Sequence, residues 1–595
     1  MKNWQEVFKL FLQGLYKAVS RFPFTVFCLA GATGIVWYTI YIEFNPTLYI
    51  NKVAYALAVG AFIGMLAQFS IERFEKLAHK PIAVYALSLV LTAGYFLIIL
   101  PAPELSAEIT VRTFVAVFAM LCAILWVPSF KGETNFDKVA LIHFKGFFTS
   151  ILYSAVLSAG IAAILAAVDM LLFDINNDAY AYTMAFIWVM FAPLYYLSLL
   201  PKFHSREEYD FDAMQRAEYY PRFLEILVSY ILVPLVGIYS LVLFAYFIKI
   251  LLTMKWPVGQ LGPMVLIYSA VGIILFILVS LLENRFALLY RKMFPKILIP
   301  IVIMQMISVG IRLNAYGITE SRYYVALFGV FSIVIGLILS LKPLTKNGFI
   351  ALLAAGFAIV SILPPVDAFT VSRVSQITRL EGILQGEGIL ADGKLTPKVN
   401  ASENTKIETT NILNYLNRQS SLEYIEWLPE DFAIYDDMRE TFGFAATYPN
   451  YTNEYRYFSA FLDTRVPINI SDYDISLQFH SNRYEKDMTS QTVSFMLEEK
   501  TYELVVERLS QAEVKLSIQD ATGSELISTG LYEFAERLSE VGEKHKSELS
   551  PDEMTLEVNR DGYKLKILFQ SINMTFEPEP NAGVDYSGQV FFGVK

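Results

Sequence analysis

The chain has 595 residues, of which 55% are apolar and 15% aromatic, and its mean hydropathy is +0.44. This composition is too apolar for an ordinary soluble enzyme and is typical of a membrane protein. The charge divides unevenly: residues 1–365 hold 26 Lys and Arg against 19 Asp and Glu, or +7, while residues 366–595 hold 21 against 38, or −17. Because so acidic a segment repels phosphate backbones, we expect no nucleic-acid partner.

The first 365 residues read as a helical membrane domain. Residues 2–20 alternate Lys with apolar side chains at helical spacing, which suits either an amphipathic helix on the inner membrane face or an extension of the first span. Eleven apolar runs follow, each near the ~20 residues that cross a bilayer. They lie at about 22–42, 53–71, 82–100, 110–127, 147–173, 181–200, 223–252, 263–282, 297–313, 323–341 and 348–363. Prolines 295 and 300 predict that the ninth run is irregular or broken, a geometry that transporters use for binding.

The loops between these runs predict the topology. The N-terminal segment and every second loop after it together hold 20 Lys and Arg, whereas the intervening loops hold 5. The Lys- and Arg-rich segments are 1–21, 72–81, 128–146, 201–222, 283–296 and 342–347. Short loops rich in Lys and Arg stay in the cytoplasm, so the N-terminus is expected inside. An odd number of spans then places the acidic C-terminal part outside, after the stop at Pro364-Pro365.

The second part of the chain changes from helical to alternating periodicity. A helix is expected from a Ser372 cap to Gly386 and Gly388, a second over about 404–418, and a third near 531–546. From Tyr455 onward, short alternating segments predict half-solvated antiparallel strands, with a hairpin turn at 559–562. Aromatic residues at 448–461 suit either a sugar- or peptide-binding surface or strand core.

The predicted fold class is therefore a polytopic α-helical membrane bundle of about 11 spans followed by an extracytoplasmic α+β domain with largely antiparallel strands. Four regions are expected, and they are 1–21 as a cytoplasmic amphipathic N-terminus, 22–363 as the transmembrane domain, 364–453 as a helical linker and start of the outer domain, and 454–595 as a β-rich extracytoplasmic domain. The two cysteines lie in apolar runs, so the outer part has no disulfide.

Familiar catalytic motifs are absent from the sequence. It contains no phosphate-binding Gly-rich loop, no dinucleotide fingerprint, no Cys-x-x-Cys pair and no nucleophile elbow, and its five histidines are scattered. We therefore expect no cofactor and no metal, and a membrane-embedded enzyme ranks third among the functions considered, because no cluster of acids or histidines at one depth favours it.

Ionisable and polar residues at membrane depth are the first candidates for a binding site. Asp169 in the fifth run and Lys249 in the seventh both approach the outer face, where they either pair around a shared cavity or extend separately to the interface. Gln305 lies near the middle of the ninth run and suits either a site or a hydrogen bond between helices.

The outer loop between the ninth and tenth runs is the densest polar cluster in the membrane half. It contains Arg312, Tyr316, Glu320 and Arg322. Two arginines on the face that should be poor in positive charge suggest contact with an anion or lipid head group. The alternative is an ion pair through Glu320 that ties the loop to the acidic domain.

Three stretches resemble a known family. They are RFPFTVFCLAGATGIVWYTIY at 21–41, the segment from Tyr220 to Ile273 beginning YPRFLEILVSYILVPLVGIYS, and DAFTVSRVSQITRLEGILQGEGIL at 367–390. Together they are similar to the bacterial multi-pass membrane family designated domain of unknown function forty-one fifty-three. The resemblance covers most of residues 20–390 and implies this architecture in a bacterial cell envelope, but it assigns no role to any residue.

The sequence favours two functions. The first is transport or binding of a lipid-linked or amphiphilic envelope component, in the bacterial cytoplasmic (inner) membrane, with membrane lipids as partners. The second is an envelope scaffold or sensor whose outer domain, residues 366–595, recruits an extracytoplasmic protein or glycan. This second function is suggested by an outer domain larger than a transporter needs.

Overall fold

The structure is a computed structural model that describes residues 4–43, 47–131, 134–204, 208–254, 261–341, 347–429, 431–448, 457–483, 491–542, 548–575 and 583–594. The chain divides into two compact units, Met1–Thr447 and Tyr448–Lys595. Each unit is considered separately below.

The first unit is almost entirely helical, apart from the two-residue strands β1 (Leu390–Ala391) and β2 (Lys394–Leu395). Its helices are α1 (Trp4–Arg21), α2 (Pro23–Tyr41), α3 (Leu48–Arg73), α4 (Glu75–Ala78), α5 (Pro81–Ile99), α6 (Ala107–Trp126), α7 (Phe136–Leu171), α8 (Asp178–Ala185), α9 (Ala192–Ser198), α10 (Glu208–Glu218), α11 (Arg222–Glu225), α12 (Val233–Thr253), α13 (Leu261–Val279), α14 (Arg285–Tyr316), α15 (Glu320–Leu341), α16 (Gly348–Val360), α17 (Ala368–Glu387), α18 (Glu403–Arg418) and α19 (Ile434–Phe442).

Within the described residues, ten helical segments are long and apolar enough to cross a membrane. They are Pro23–Tyr41, Leu48–Arg73, Pro81–Ile99, Ala107–Ser129, Phe136–Leu171, Asp178–Ser198, Asp212–Thr253, Leu261–Val279, Arg285–Tyr316 and Glu320–Leu341. The predicted eleventh span forms the shorter helix α16, of 13 residues. At 1.5 Å per residue α16 is ~20 Å long, which is less than the ~30 Å of a bilayer core.

The segment that contains α16 nevertheless extends from one end of α6 to the other. At its start, the Nδ2 atom of Asn347 donates to Asp137 at 2.9 Å, and a Cβ atom on Gly348 would lie 3.3 Å from Trp126, the last residue of α6. Beyond its end, Asp367 pairs with Arg112 near the beginning of α6. The segment 347–367 therefore runs the length of α6 in the opposite direction, with residues 361–366 completing the distance.

Prolines change the helix geometry locally without breaking it. Pro193 and Pro234 each follow a π-helical segment, Phe186–Phe191 and Ile226–Leu232, because a proline has no N–H to continue the regular ladder. The prediction that the ninth run is broken is wrong, since α14 continues through both of its prolines. Its neighbour α15 approaches closely here: a Cβ atom on Gly336 would lie 3.2 Å from the Pro295 carbonyl oxygen. Packing of this kind sustains a proline-containing helix in an apolar bundle.

Helix α17 begins earlier than the sequence suggested. Asp367, not Ser372, is the N-cap, and its Oδ1 atom accepts the backbone N–H groups of Phe369 and Thr370, both at 3.1 Å. Ser372 is fully buried inside the helix. The predicted C-terminal stop is confirmed, because Gly388 has the left-handed conformation (φ +78°) that favours glycine. The helix expected over 404–418 is confirmed as α18.

The second unit contains two β-sheets that share one apolar core. Its strands are β3 (Tyr457–Leu462), β4 (Ile475–Ser481), β5 (Gln491–Leu497), β6 (Lys500–Arg508), β7 (Val514–Asp520), β8 (Glu525–Gly530), β9 (Glu548–Leu549), β10 (Thr555–Arg560), β11 (Tyr563–Thr575) and β12 (Gly583–Val594), with helix α20 (Tyr532–Gly542) between β8 and β9. The order is β4-β12-β11-β3-β9, with β10 also on β11, in one sheet and β5-β6-β7-β8 in the other. The pairs are antiparallel except for β3 with β9, so the predicted strand character is confirmed.

Two local predictions are decided in this unit. The hairpin at 559–562 is confirmed by the β10–β11 register, and Asp561 (φ +50°) and Gly562 (φ +87°) have the conformations that its tight turn needs. Of the aromatic residues at 448–461, Phe458 packs against the core, whereas Phe461 is half exposed. Tyr451 and Tyr455 lie outside the described residues.

Candidate functional site

The polar loop predicted between the ninth and tenth runs is the connection from α14 to α15, and α17 holds its backbone. The Gln376 side-chain amide donates to the carbonyl oxygens of Tyr316 and Ile318, at 3.0 and 2.9 Å. The backbone N–H of Ile318 donates to the Ser375 hydroxyl at 2.9 Å. Because these bonds satisfy partly buried backbone groups, they fix the turn against α17, the first helix after the long apolar helices.

Glu320 connects the same turn to α18. The Tyr415 hydroxyl donates to the Oε1 atom of Glu320 at 2.6 Å. Among ion pairs between described residues, none joins Glu320 to Arg312 or Arg322. The link from Glu320 to α18 is therefore a hydrogen bond from a tyrosine, and this carboxylate does not neutralise either arginine.

Arg312 and Arg322 line one cavity, which we call the arginine cavity. It has a volume of about 140 Å³ and is lined by Leu261, Gly262, Pro263, Ser308, Val309, Arg312, Ser321, Arg322 and Val325. Arg322 donates to the carbonyl oxygens of Tyr316 and Gly317, at 3.2 and 2.9 Å, and its guanidinium lies 5.6 Å from the centre of the Tyr316 ring. These contacts cap the C-terminus of α14 but supply no negative charge.

Two other arginines lie near Arg322. Arg312 and Arg379 are both near enough for their positive charges to act on it. Arg379 is neutralised by Glu408 at 2.6 Å. Among the described residues, Arg312 has no carboxylate within ion-pair distance. An anion in the cavity would relieve this repulsion and accept charge-assisted hydrogen bonds from two planar guanidinium groups.

Residues in the first turns of two helices also line the arginine cavity. The first residues of α13, Leu261 to Pro263, and Ser321 in the first turn of α15 are part of its wall. Helix N-termini carry partial positive charge and unpaired N–H groups, which makes them common anion sites. Gln305 is buried directly beside this wall and donates to the Gly262 carbonyl oxygen at 3.1 Å. It therefore makes the hydrogen bond between helices and holds the start of α13 in place.

The structure does not bring Asp169 and Lys249 into this cluster. Asp169 is exposed near the end of α7, where its Oδ1 atom accepts the backbone N–H of Ile175 at 2.6 Å. Lys249 is exposed on α12. Among the ion pairs between described residues, none joins these two side chains. Of the seven predicted residues, five (Gln305, Arg312, Tyr316, Glu320 and Arg322) are thus neighbours of one turn or cavity.

A buried ion pair beside the site was missed by sequence reasoning. Arg112 lies 2.8 Å from the Oδ1 atom of Asp367, whose side chain is fully buried, and 2.6 Å from Glu108. Burial opposes ionisation of Asp367, but hydrogen bonds from Thr370 and the Arg112 charge outweigh it, so the pKa of Asp367 lies below its usual value. The sequence did indicate that Arg112 is unusual, because it is the single basic residue of its loop. Nothing in the sequence identified Asp367 as its partner.

Comparison with known proteins places the chain in a family. The family described as Domain of unknown function (DUF4153) matches residues 30–395, about three fifths of the chain. The chain belongs to this family. The DUF4153 region contains the whole arginine cavity and helix α17, so the family segment extends beyond the apolar helices to the helix that holds the turn. It ends before α18, which supplies Tyr415.

One curated relative of this DUF4153 protein is similar over part of its length. It is the uncharacterised protein PM1469 of Pasteurella multocida (strain Pm70), which is 24% identical over 243 residues. The match covers 40% of each chain, so this chain spans less than half of that relative. No solved structure matches the chain.

Proposed function

We propose that this DUF4153 protein crosses the bacterial cytoplasmic (inner) membrane eleven times, with its N-terminus inside and residues 366–595 outside. Ten long apolar helices and the excess of Lys and Arg on one set of loops support this placement. Segment 347–367 extends along the full length of α6, which supports counting α16 as the eleventh crossing.

The function that the site supports best is binding of an amphiphilic envelope component through its anionic head group. One observation carries this proposal: two arginines and two helix N-termini surround the same cavity. In the proposed topology, this cavity lies at the outer ends of α13, α14 and α15, at the level of lipid head groups. A phosphate or carboxylate there meets convergent donors, while its hydrocarbon part lies along the apolar helices.

The experiment is mass spectrometry of the full-length protein purified gently in its native lipid. We expect a specific anionic lipid or lipid-linked glycan to remain bound to the unmodified protein. The double substitution Arg312→Gln and Arg322→Gln should lower its retention by about tenfold or more, because each charge-assisted bond contributes on the order of 1.5–3 kcal/mol. Arg418→Gln, an exposed arginine on α18, is the matched control and should retain the lipid.

Two results would contradict this function. Equal retention by the double variant and the control would remove the arginine cavity from lipid binding. A stoichiometric protein bound to residues 366–595, with bulk lipid alone in the membrane part, would favour the scaffold or sensor function instead.

A further inference from the structure

A second and larger cavity lies among other helices of the first unit, and its wall is almost wholly apolar. It has a volume of about 560 Å³ and is formed by α2, α3, α6, α7 and the segment from Phe186 to Leu197. Four small side chains on the wall, Ala32, Ala58, Ala61 and Ala192, leave the space open. A cavity of this size lies within the ~300–1,000 Å³ range of ligand pockets. It shares no residue with the arginine cavity.

The three hydroxyl groups on this wall are already bonded to protein. The Thr25 hydroxyl donates to the Ala61 carbonyl oxygen at 3.1 Å, and the Ser150 hydroxyl donates to the Ala192 carbonyl oxygen at 2.6 Å. The Tyr196 hydroxyl pairs with the Nδ1 atom of His143 at 2.6 Å. No charged residue is among the described residues that line the cavity. Apart from the Trp188 indole N–H at the exposed rim, the side chains of the wall offer water and head groups no free partner, so the wall selects hydrocarbon.

The cavity has an open rim and a deep floor. Phe147 and Trp188 on the rim expose 52% and 43% of their surface, whereas Met65 on the floor exposes 5%. If these helices cross the bilayer as proposed above, the rim faces lipid chains. An empty apolar space would forfeit dispersion contacts along its wall, so a chain entering from the rim gains contacts that the flat helix surface does not offer.

The sequence builds both sides of the cavity. On one side, Gly60 and Gly64 lie four residues apart on α3, and a Cβ atom at either would come within 3 Å of Cys28 or Thr25 on α2. This spacing of small residues lets two membrane helices pack closely. On the other side, Trp188 and Val189 belong to the π-helical segment before Pro193, and such segments often occur at functional sites.

We propose that this cavity, the acyl groove, holds one acyl chain of a bilayer phospholipid, inserted from Trp188 toward Met65. The proposal rests on the membrane placement proposed above but not on the arginine cavity. The chain is bound by burial of apolar surface alone, and its head group stays outside the groove in the interfacial layer.

The test uses the full-length protein in nanodiscs of phosphatidylcholine that carries a photoactivatable diazirine on one acyl chain. After irradiation, mass spectrometry should find lipid adducts on Met65 or Phe62, which line the groove and are more buried than Phe147 and Trp188 on its rim. Ala58 is an exposed residue of the groove wall, so Ala58→Phe narrows the open side of the groove and should lower these adducts by about tenfold. Ala86→Phe, at an exposed position of α5, is the matched control and should leave them unchanged.

A graded variant keeps the test valid if Ala58→Phe fails to fold: Ala58→Leu should lower the Met65 and Phe62 adducts by a smaller factor. The double variant Arg312→Gln and Arg322→Gln should keep these adducts at the unmodified level, which separates this proposal from binding at the arginine cavity. Adducts confined to outward-facing residues such as Val90, or adducts on Met65 that persist unchanged in folded Ala58→Phe, would overturn the proposal.

Discussion

The guanidinium of Arg112 lies 2.8 Å from the Oδ1 atom of Asp367, a residue 255 positions later that caps the helix following the spans. The same oxygen accepts the backbone N–H groups of Phe369 and Thr370, the second and third residues of α17. Beside it, the Tyr323 hydroxyl donates to the Val366 carbonyl oxygen at 2.6 Å. The start of α17, which holds the turn beside the arginine cavity, is thus fixed to α6 and α15.

Removing the Asp367 carboxylate should destabilise the first unit. We expect Asp367→Ala to lower its stability by about 2–4 kcal/mol, because it removes a helix cap and leaves the Arg112 charge without its buried partner. Thermal unfolding in detergent measures the effect. Asp436→Ala, an exposed acid at the start of α19, should change stability by less than about 0.5 kcal/mol. Equal midpoints for the two variants would refute the structural role of the pair.

The contribution of Asp367 should also depend on pH. Because the folded-state pKa of Asp367 is depressed, its stabilisation is complete above the unfolded value of about 3.9 and is lost as the pH falls through the folded pKa. The difference in melting temperature between the unmodified protein and Asp367→Asn should therefore be constant from about pH 7 to 5 and shrink below about pH 4. A difference that shrinks between pH 7 and 5 would show a raised pKa instead.

Gly317 should tolerate no side chain. Its backbone has φ +69° and ψ 178°, a region essentially restricted to glycine, and a Cβ atom would lie 2.8 Å from the Gln376 amide nitrogen. We expect Gly317→Ala to cost about 1–3 kcal/mol and to raise hydrogen exchange at residues 316–320. Gly310→Ala, in open space on the same helix, should be neutral or slightly stabilising. Unchanged exchange in Gly317→Ala would contradict the tight packing against α17.

The Tyr415–Glu320 hydrogen bond can be measured by a double-mutant cycle. We expect Tyr415→Phe and Glu320→Gln to destabilise the protein separately and to show a coupling energy of about 1–2 kcal/mol, since a hydrogen bond to a carboxylate is stronger than a neutral one. Chemical or thermal unfolding of the four proteins provides the numbers. Additive effects would mean that the two residues act independently.

The proposed topology predicts which introduced cysteines a membrane-impermeant maleimide reaches. In a background with Cys28 and Cys122 changed to serine, Lys500→Cys should react in cells whose outer membrane alone is permeable. Lys76→Cys, also at an exposed position, on α4, should react only after lysis. The reverse pattern would invert the topology, and protection of both sites would place the second unit inside.

The sequence determined the features of this protein that depend on local composition. Apolar length predicts membrane-crossing helices, alternation predicts half-buried strands, and turn residues such as Asp561 and Gly562 predict the hairpin, because each arises from contacts between near neighbours. It also drew attention to Arg312 and Arg322, since positive charge is unusual in a loop that is expected on the outer side of a membrane.

Tertiary structure decided which residues meet. The pairing of Arg112 with Asp367, the bond from Tyr415 to Glu320, and the approach of α13 to the two arginines all join segments distant along the chain. The periodicity of a sequence does not report contacts between distant segments. Likewise, α14 stays unbroken at its prolines because α15 packs against it, and the acyl groove exists because small residues of separate helices face one space. These outcomes depend on how helices pack, which is set by the shapes of whole surfaces rather than by any single segment.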